Sequence, residues 1–241
     1  RCPDAVILVD HSQFLAPDRQ AHEAEIMARV GKHSTAQTRR GVLVIGTQVL
    51  EQSLDLDFDR IITDLCPMDL LLQRIGRLHR HTRKRPCGLE QPECLVLGAQ
   101  GALDGGSEAV YGAYLLLRTR ALLPETIRLP EDISPLVQKT YDAALWAPAA
   151  DAAYDAAQKE DWLEQSQKKE NAQAYLLDRP GRDGFTVSLV GLLDSRYPLT
   201  ELQAQAAVRD GTAAIEVLVV QQAGEGMMQL LSGPQRGARY R

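Results

Sequence analysis

Residues 41–85 read GVLVIGTQVLEQSLDLDFDRIITDLCPMDLLLQRIGRLHRHTRKR and combine two predicted strands with a predicted helix. Val42–Ile45 is a short apolar run that ends at Gly46, a pattern typical of a buried strand and its exit turn. A second strand is predicted over Phe58–Leu65. Pro67 then begins a helix, because a proline at the first helical position gives up no hydrogen bond. Strand, strand and helix in this order predict an α/β lobe.

The predicted helix has a buried stripe of apolar residues at positions i, i+4 and i+7, namely Leu71, Ile75 and Leu78. Away from that stripe, Gln73 lies four residues and Arg74 three residues before Arg77, so the polar ends of their side chains can converge. Two guanidiniums and an amide on one rigid helix suit a phosphate, because each guanidinium offers forked donors. The alternative is a solvated basic face, which a lone R-x-x-R pattern would favour.

The composition is that of an ordinary soluble protein, with 44% apolar and 24% charged residues among 241. This length suits one large domain or two smaller ones. No uncharged apolar run is long enough to span a membrane. The chain begins at Arg1 without an initiator methionine, so we expect it to be a fragment of a longer chain. Reduced thiols in a cytoplasmic protein are expected, because the four cysteines show neither C-x-x-C spacing nor a paired framework: Cys2, Cys66, Cys87 and Cys94.

The net charge is −5, yet six cations lie within twelve residues: Arg74, Arg77, Arg80, Arg83, Lys84 and Arg85. A local basic cluster on an acidic chain predicts contact with a specific polyanion rather than diffuse attraction. The residues just before this region alternate between apolar and acidic, which predicts a strand-like entry: Leu54, Asp55, Leu56, Asp57, Phe58 and Asp59.

The chain outside the quoted stretch continues the alternation of strands and helices. Asp4–Asp10 is a continuous apolar run that predicts a buried parallel strand. It ends in His11–Phe14, at the position where α/β sheets place ligand-contacting groups. A helix is predicted from Pro17 to Gly31, and a last strand over Glu93–Gly98. Glycine-rich residues then suit a domain edge.

Beyond residue 106 the pattern becomes helical and then β-like. Helices are predicted over Ser107–Leu122 and Ser134–Trp146. The polar residues Gln158–Asn171 predict an exposed helix or a linker. Short strands separated by glycine and proline turns are predicted over Phe185–Leu193, Ala213–Gln221 and Met227–Leu231. We therefore expect the tail to form a small, mostly β domain.

Three segments resemble, in order, motifs IV, V and VI of superfamily 2 helicases: His11–Phe14, Gly46–Asp55 and Gln73–Arg80. The sequence TQVLEQSLDLDFD, followed by QRIGRLHRH, is most similar to the corresponding motifs of the CRISPR-associated helicase-nuclease recruited by type I interference complexes. Residues 111–141 are similar to the region after motif VI in that family. The resemblance covers roughly residues 1–145, with Val208–Gly211 as a later anchor.

The resemblance implies the second of two RecA-like lobes, an α/β fold whose parallel sheet carries helices on both faces. In such helicases two lobes clamp ATP between them, and single-stranded nucleic acid runs across their tops. With the glycine-rich domain edge, the expected division is a helicase lobe at residues 1–101, a helical connector at 102–174 and a C-terminal accessory domain at 175–241.

The resemblance also implies roles for single residues. Arg77 first, and Arg74 second, would act as fingers that stabilise the charge on the γ-phosphate of ATP during hydrolysis. Gln73 would contact the γ-phosphate or the attacking water, and Asp55 would couple the nucleotide to the DNA-contacting segment. Contacts to the DNA backbone are expected from residues at the ends of strands: Ser12, Gln13, Thr47, Gln48 and Ser53. Gln13 departs from the family, which often has arginine there, so its contact should be weaker.

Two parts of the family's machinery have no counterpart in this sequence. It contains no G-x-x-x-x-G-K-[ST] loop and no acidic Mg²⁺ site, so we expect a first lobe to hold most of the ATP and Mg²⁺. The His-Asp dipeptide of the family's nuclease is also missing, and no metal ligand is assigned here. This chain alone is therefore expected to be inactive.

The expected partners are single-stranded DNA, the CRISPR RNA-guided surveillance complex, and the N-terminal lobe and nuclease domain of the same protein. The resemblance places them in antiviral defence, with no membrane involved. Two alternatives stay open. The chain could be the second lobe of another superfamily 2 helicase, acting in DNA repair, restriction or on RNA. It could also be a non-catalytic module that binds nucleic acid or protein.

Overall fold

The computed structural model of the chain describes residues 5–14, 16–51, 54–148, 151–173, 220–224, 227–230 and 239–240. The chain divides into two compact units, Arg1–Tyr154 with Val219–Arg241, and Asp155–Leu218. None of the helices in the described ranges is long and apolar enough to cross a membrane. The division at residues 101 and 174 expected from the sequence stays a prediction.

The first strand pair is parallel, as the sequence predicted. β1 (Val6–Asp10) pairs with β2 (Val42–Gly46), so that Val6 lies opposite Val42 and Asp10 opposite Gly46. α1 (Ala16–Val30) and the short α2 (Ala36–Arg39) connect the two strands. A first buried cluster joins this strand pair to α1, and consists of Leu8, Ile26, Val30 and Leu56. The predicted strands and helix are confirmed, with slightly different ends.

The second strand pair repeats this arrangement. β3 (Arg60–Asp64) and β4 (Glu93–Leu97) are parallel, and α3 (Met68–Ile75) lies between them in the chain. The predicted spans Phe58–Leu65 and Glu93–Gly98 are confirmed as strands, although both are shorter than expected. A second buried cluster lies around the start of α3 and consists of Cys66, Met68, Leu71 and Leu72.

Each parallel pair has one face covered by a helix and one exposed face. α1 packs against β1, and Val96 of β4 packs against the cluster around α3. On the other face, Ile7 of β1 and Ile62 of β3 are 58% and 63% exposed. The α/β class is confirmed. Within the described ranges, however, the helices cover one face of each pair, whereas the sequence led us to expect two.

The helical region after β4 is more broken than predicted. α4 (Gly105–Tyr111) and α5 (Ala113–Leu122) stand where the sequence predicted one helix over Ser107–Leu122. Gly112 separates them with a φ of 77°, a left-handed conformation that glycine adopts at little cost. α6 (Ile133–Tyr141) is likewise shorter than the predicted span Ser134–Trp146.

Arg118 of α5 fixes the end of α6. It is completely buried, and its guanidinium donates to the carbonyls of Thr140 at 2.5 Å, Lys139 at 2.5 Å and Trp146 at 2.6 Å. The last carbonyls of a helix lack partners within the helix and carry its negative dipole end, so a cation is favoured there. Arg118 Nη1 also donates to Tyr154 Oη at 2.6 Å.

The remaining described elements are a long helix and a small sheet. α7 (Ala152–Gln173) includes the polar residues 158–171, so of the two structures predicted there the exposed helix is confirmed. β5 (Val220–Gly224), β6 (Met227–Leu230) and β7 (Arg239–Tyr240) form an antiparallel sheet in that order. β6 confirms the strand predicted over Met227–Leu231. Three other predicted features, at residues 185–193, 208–211 and 213–219, lie outside the described residues.

Candidate functional site

The helix that carries the predicted arginines is shorter than the sequence indicated. α3 ends at Ile75, and Gly76 forms its cap. Arg77 lies in the turn beyond, with its N–H 2.9 Å from the carbonyl oxygen of Arg74. The prediction that Gln73, Arg74 and Arg77 share one helical face is therefore wrong, because the helix stops before Arg77. Gln73 is exposed, whereas Arg74 and Arg77 are half-buried.

A neighbouring segment holds the backbone of Arg77 instead. The N–H of Phe58 donates to the carbonyl of Arg77 at 2.8 Å, and the N–H of His79 donates to the carbonyl of Phe58 at 3.0 Å. Leu78 consequently lies in a parallel bridge to Phe58 and not on the predicted helical stripe. His79 has a φ of 48°, which few residues other than glycine adopt. These contacts fix the point from which the Arg77 side chain extends.

Arg74 is fully engaged within the chain. Its Nε donates to Glu51 Oε1 at 2.7 Å, and its Nη2 lies 2.5 Å from the same oxygen. Its Nη1 donates to Thr63 Oγ1 at 2.5 Å, and Nη2 also donates to Tyr111 Oη at 3.1 Å. Burial opposes the charged form, but Cys66 and the Glu51 carboxylate together raise the pKa of Arg74. Each nitrogen of this guanidinium therefore has a partner.

Glu51 is the residue on which both arginines converge. It ends a short 3₁₀ helix, Gln48–Glu51, that follows β2, and it is only 7% exposed. Its carboxylate binds Arg74, and its main-chain carbonyl accepts a hydrogen bond from Arg77 Nη2 at 3.0 Å. Glu51 thus sets the spacing between the two guanidiniums.

Arg77 differs from Arg74 because one of its hydrogen-bond donors is unpaired among the described residues. Its Nε is buried and has no hydrogen-bond partner in the part of the chain that the structure describes. Burial, and then the positive charge of Arg80, lowers the pKa of Arg77, although a guanidinium remains charged at neutral pH. A half-buried cation with an unused donor favours an anionic ligand.

Asp55, the predicted coupling residue, is paired with two basic residues that follow Arg77. Its Oδ1 lies 2.8 Å from Arg80 Nε and 3.0 Å from His81 Nε2. Desolvation acts against the charged form, but the hydrogen bond from His81 and the charges of both partners lower the pKa of Asp55. The structure therefore connects Asp55 to the segment immediately after Arg77.

Much of the remaining basic cluster is neutralised within the chain. Asp57 is completely buried and lies 2.6 Å from Arg83 Nε and 2.8 Å from Arg85 Nη2. Asp59 lies 2.8 Å from Arg85 Nη1 and 2.9 Å from Arg39 Nη2. Burial opposes ionisation, but the hydrogen bond from Arg85 and the charge of Arg39 lower the pKa of Asp59. We call these five residues the arginine–aspartate cluster.

This cluster corrects one prediction from the sequence. The six crowded cations were expected to contact a polyanion as a group. For Arg83 and Arg85 this is wrong, because their guanidiniums already bind Asp57 and Asp59 inside the protein. Arg80 is likewise paired with Asp55. Arg77 differs from these three in having a buried donor that faces no carboxylate.

The predicted DNA-contacting residues lie at the carboxyl ends of β1 and β2. The N–H of Thr47 donates to the carbonyl of Asp10 at 3.2 Å, so the two strand ends lie together. Ser12 and Gln13 follow β1 and are exposed. Ser53 lies outside the described residues. Four of the five residues predicted to contact DNA therefore follow the carboxyl ends of the first strand pair: Ser12, Gln13, Thr47 and Gln48.

Two residues that the sequence analysis missed complete the site. Glu51 binds both arginines, and its sequence signal was an acidic side chain between the strand of motif V and a cation-rich segment. Tyr111 of α4 accepts hydrogen bonds from Arg74 Nη2 and from Gln48 Nε2, each at 3.1 Å. Tyr111 gave no local signal, because its partners lie 37 and 63 residues away in the chain.

The guanidinium donors of the site suit an anion. Within the described ranges, no group of three or more His, Cys, Asp or Glu side chains could hold a metal. Cys66, Cys87 and Cys94 are free thiols, and burial raises the pKa of Cys66 to about 12. The described residues therefore offer no metal site built from three or more such side chains, whereas a guanidinium donor such as that of Arg77 is of the kind that binds a phosphate oxygen.

Comparison with known proteins identifies the family. Residues 2–83 match the family described as CRISPR-associated nuclease/helicase Cas3, C-terminal. The CRISPR-associated nuclease/helicase Cas3 of Streptococcus thermophilus is 41% identical over 233 residues, covering 92% of this chain and 25% of that protein. The chain belongs to the Cas3 family. It spans about a quarter of the length of that Cas3 and is similar to its C-terminal portion.

Solved structures of Cas3 proteins share the fold. The crystal structure of a CRISPR-associated protein matches with a TM-score of 0.73 at 30% identity, covering 94% of this chain and 26% of that one. T. fusca Cas3 matches with a TM-score of 0.60 at 35% identity, covering 69% of this chain and 20% of that one. T. fusca Cas3 has also been solved with ATP, ADP and AMPPNP. These matches confirm the RecA-like lobe expected from the sequence.

One further match comes from an assembly. A chain in a CRISPR RNA-guided surveillance complex, in a pre-nicking state, matches with a TM-score of 0.57 at 34% identity. The match covers 69% of this chain and 21% of that one. A relative of this chain therefore occurs in a structure of such a complex.

Proposed function

We propose that this chain is part of the second motor lobe of an ATP-dependent translocase on single-stranded DNA, which works with a nuclease in CRISPR antiviral defence. Its Cas3 relatives are named nuclease/helicases, and T. fusca Cas3 has been solved with ATP and AMPPNP. The observation that carries the proposal is the unused, buried donor of Arg77 beside the Glu51–Arg74 ion pair.

Arg77 is the residue to which we assign the main catalytic contact. Hydrolysis of ATP spreads negative charge over the oxygens of the transferred phosphoryl group, and a positioned guanidinium stabilises that charge. Arg74 takes the second place, because it reaches a phosphate only by exchanging its ion pair with Glu51. Gln73, which is exposed beside these arginines, contacts the γ-phosphate or the attacking water in this proposal.

The rest of the ATP site is assigned to a first lobe of a longer protein. This sequence has no phosphate loop, and its described residues include no group of three or more His, Cys, Asp or Glu side chains that could hold a metal ion. When bound, Mg²⁺ neutralises charge on the phosphates. The chain's own contribution is to orient a guanidinium through the backbone bridge at Phe58 and the Glu51 carbonyl.

The DNA contacts are assigned to the edge where β1 and β2 end. Thr47 and Ser12 offer hydroxyl and backbone donors to a phosphodiester there, together with Gln13 and Gln48. Ser53, which lies outside the described residues, stays a proposed DNA contact from the sequence alone. Asp55 links this edge to the nucleotide, because it pairs with Arg80 and His81 just after Arg77.

We also propose that the chain is divided into a helicase lobe at residues 1–101, a helical connector at residues 102–174 and an accessory domain at residues 175–241.

The partners follow from the same interpretation. A relative occurs in a surveillance complex, and we propose that the longer protein meets such a complex through its own lobes and nuclease domain. The DNA strand on which it moves is then the one that the complex displaces. Such a protein works in the cytoplasm, where the invading DNA is met.

The test is Arg77→Ala in the full-length helicase. We expect DNA-stimulated ATP hydrolysis to fall by at least about a hundredfold, since arginine fingers are worth on the order of 10³–10⁵ in rate and Arg74 gives partial backup. Binding of single-stranded DNA without nucleotide should change little. Arg60→Ala is the matched control, because Arg60 is an exposed arginine that pairs with Glu93 on the neighbouring strand.

The competing function is a plain DNA-binding patch. In that case Arg77→Ala would weaken DNA binding and flatten its salt dependence, while ATP turnover at saturating DNA would be preserved. Normal turnover with lost affinity would overturn the proposal. Measuring turnover at saturating DNA, and affinity at two salt concentrations, separates the two functions.

A further inference from the structure

Tyr111 contacts both Gln48, which follows β2, and Arg74 of α3. Its hydroxyl oxygen accepts one hydrogen bond from Gln48 Nε2 and one from Arg74 Nη2, each at 3.1 Å. Gln48 begins the 3₁₀ helix that follows β2, at the edge to which we assigned the DNA contacts. Arg74 binds Glu51, whose carbonyl holds Arg77. A continuous series of contacts therefore runs from Gln48 to Arg77.

The position of this hydroxyl is fixed by packing. The ring of Tyr111 is half-buried against the cluster of Cys66, Met68, Leu71 and Leu72. Gly112, with a φ of 77°, ends α4 directly after Tyr111 and lets the chain turn into α5. The N–H of Gly112 donates to the carbonyl of Glu108 at 2.8 Å, which closes the last turn of α4. The ring cannot follow Arg74 without leaving its packed position.

The chemistry of a tyrosine suits this place. Glu51 already supplies the negative charge that Arg74 needs, with contacts of 2.5 and 2.7 Å. A second carboxylate would leave the pair with excess negative charge in a half-buried setting, which is costly. A phenol oxygen is a neutral acceptor that can receive two donors at once. It therefore aligns Arg74 and Gln48 without changing the net charge of the site.

We propose that Tyr111 is a positioning residue that couples the DNA-contacting end of β2 to the phosphate-facing arginines. This inference rests on the proposed function and names the residue that couples DNA binding to ATP hydrolysis in it. When DNA engages Gln48, the shared phenol oxygen holds Arg74 in register with it. Arg74 in turn holds Glu51, and Glu51 holds Arg77 against the γ-phosphate.

The test is Tyr111→Phe in the full-length helicase, which keeps the packed ring and removes only the hydroxyl. We expect turnover of ATP at saturating DNA to fall by about tenfold, the effect of one hydrogen bond to a charged group. The KM for ATP and the affinity for single-stranded DNA should stay nearly unchanged. Basal hydrolysis without DNA should change less, so the ratio of stimulated to basal turnover falls.

Tyr141→Phe is the matched control. Its hydroxyl donates to Asp69 Oδ1 at 2.6 Å, so this variant also removes a tyrosine hydroxyl that contacts α3 but leaves Arg74 untouched. We expect it to retain the wild-type stimulation ratio. If both variants lower the ratio equally, or if Tyr111→Phe leaves it unchanged, Tyr111 is not a coupling residue.

The two proposals can fail separately. If wild-type protein shows DNA-stimulated hydrolysis that Arg77→Ala abolishes, the proposed function stands whatever Tyr111→Phe does. A preserved stimulation ratio in Tyr111→Phe would then overturn only the coupling role. If the wild-type protein shows no DNA-stimulated hydrolysis, the proposed function itself fails.

Discussion

Arg74 and Arg77 carry the same functional group, but their surroundings give them different chemical capacities. The guanidinium of Arg74 has a partner at each nitrogen and shares one carboxylate oxygen of Glu51 through two of them. Arg77 holds one carbonyl through Nη2 and has a buried Nε with no partner among the described residues. An anion that contacts Arg77 does not have to displace a carboxylate, because this guanidinium pairs with none among the described residues. At Arg74 the same anion must compete with Glu51.

Arg77→Lys separates charge from geometry at this residue. A lysine keeps the positive charge but replaces the planar fork with a single ammonium, which cannot hold a carbonyl and a phosphate in the same plane. We expect DNA-stimulated turnover in the full-length helicase to stay at least about tenfold below wild type, because the lost fork carries much of the finger's effect. Steady-state rates for wild type, Arg77→Lys and Arg77→Ala check this. Turnover close to wild type in Arg77→Lys would mean that charge alone is sufficient.

At the scale of elements, the arginine–aspartate cluster connects three separate segments. Arg39 ends α2, Asp57 and Asp59 precede β3, and Arg83 and Arg85 follow the turn that contains Arg77. Arg83 also donates to the carbonyl of Ser34 at 2.9 Å. The cluster therefore holds the chain on the far side of Arg77, while the bridge at Phe58 holds it at Arg77 itself.

Asp57→Asn tests how much this cluster contributes to the free energy of unfolding. The substitution removes a fully buried negative charge and leaves its guanidinium partners uncompensated. We expect the free energy of unfolding to fall by about 3 kcal/mol, as when one partner of a buried ion pair is removed. The melting temperature should fall by roughly 6–12 °C for a protein of this size. Thermal unfolding followed by circular dichroism measures it.

Glu93→Gln provides the comparison for Asp57→Asn. Glu93 also pairs with an arginine, Arg60, but its side chain is 61% exposed. Exposed ion pairs contribute about 0–1 kcal/mol, so the melting temperature should hardly change. Equal losses in the two variants would show that burial does not decide the contribution of these pairs.

Local pattern predicted the elements of the fold well. The apolar runs at residues 6–10 and 42–46 are strands, and their parallel pairing follows from the helix that connects them. The helix after Pro67 was also predictable, but its end was not. α3 ends before Gly76, and the carbonyl of Arg77 then accepts a hydrogen bond from the N–H of Phe58. A local pattern does not reveal this contact, because Phe58 lies in a different segment of the chain.

The site was less predictable, because its partners are distant in sequence. The alternation of Asp55, Asp57 and Asp59 with apolar residues resembled a strand with one solvated face. Asp57 is instead fully buried, since arginines from two other segments neutralise it. Periodicity predicts on which side of a strand a residue lies, but it does not predict which charged side chains from other segments will pair with that residue. Glu51 and Tyr111 were missed for the same reason.

At the scale of the whole molecule, we propose that the described residues form one side of an ATP site. They include Arg77, whose buried Nε has no hydrogen-bond partner among the described residues. The same ranges contain no group of three or more His, Cys, Asp or Glu side chains that could hold a metal ion. The exposed faces of both strand pairs carry further large apolar side chains, including Leu43, Ile45 and Leu95 at 50, 50 and 53% exposure. Apolar rows of this kind are typical of surfaces that another body covers. This arrangement fits a lobe that acts together with another.

The last prediction concerns the isolated chain, which we expect not to hydrolyse ATP. Its sequence has neither a phosphate loop nor the acidic Mg²⁺ motif of the family, so we expect nothing in this chain to place the γ-phosphate against Arg77. Steady-state assays with ATP, Mg²⁺ and single-stranded DNA measure this, with the full-length helicase as the positive control. The Arg77→Ala variant of the isolated chain serves as the contamination control. Turnover that co-purifies with the wild-type chain and disappears in Arg77→Ala would show that this chain contains a complete active site, and the proposal of a shared site would be wrong.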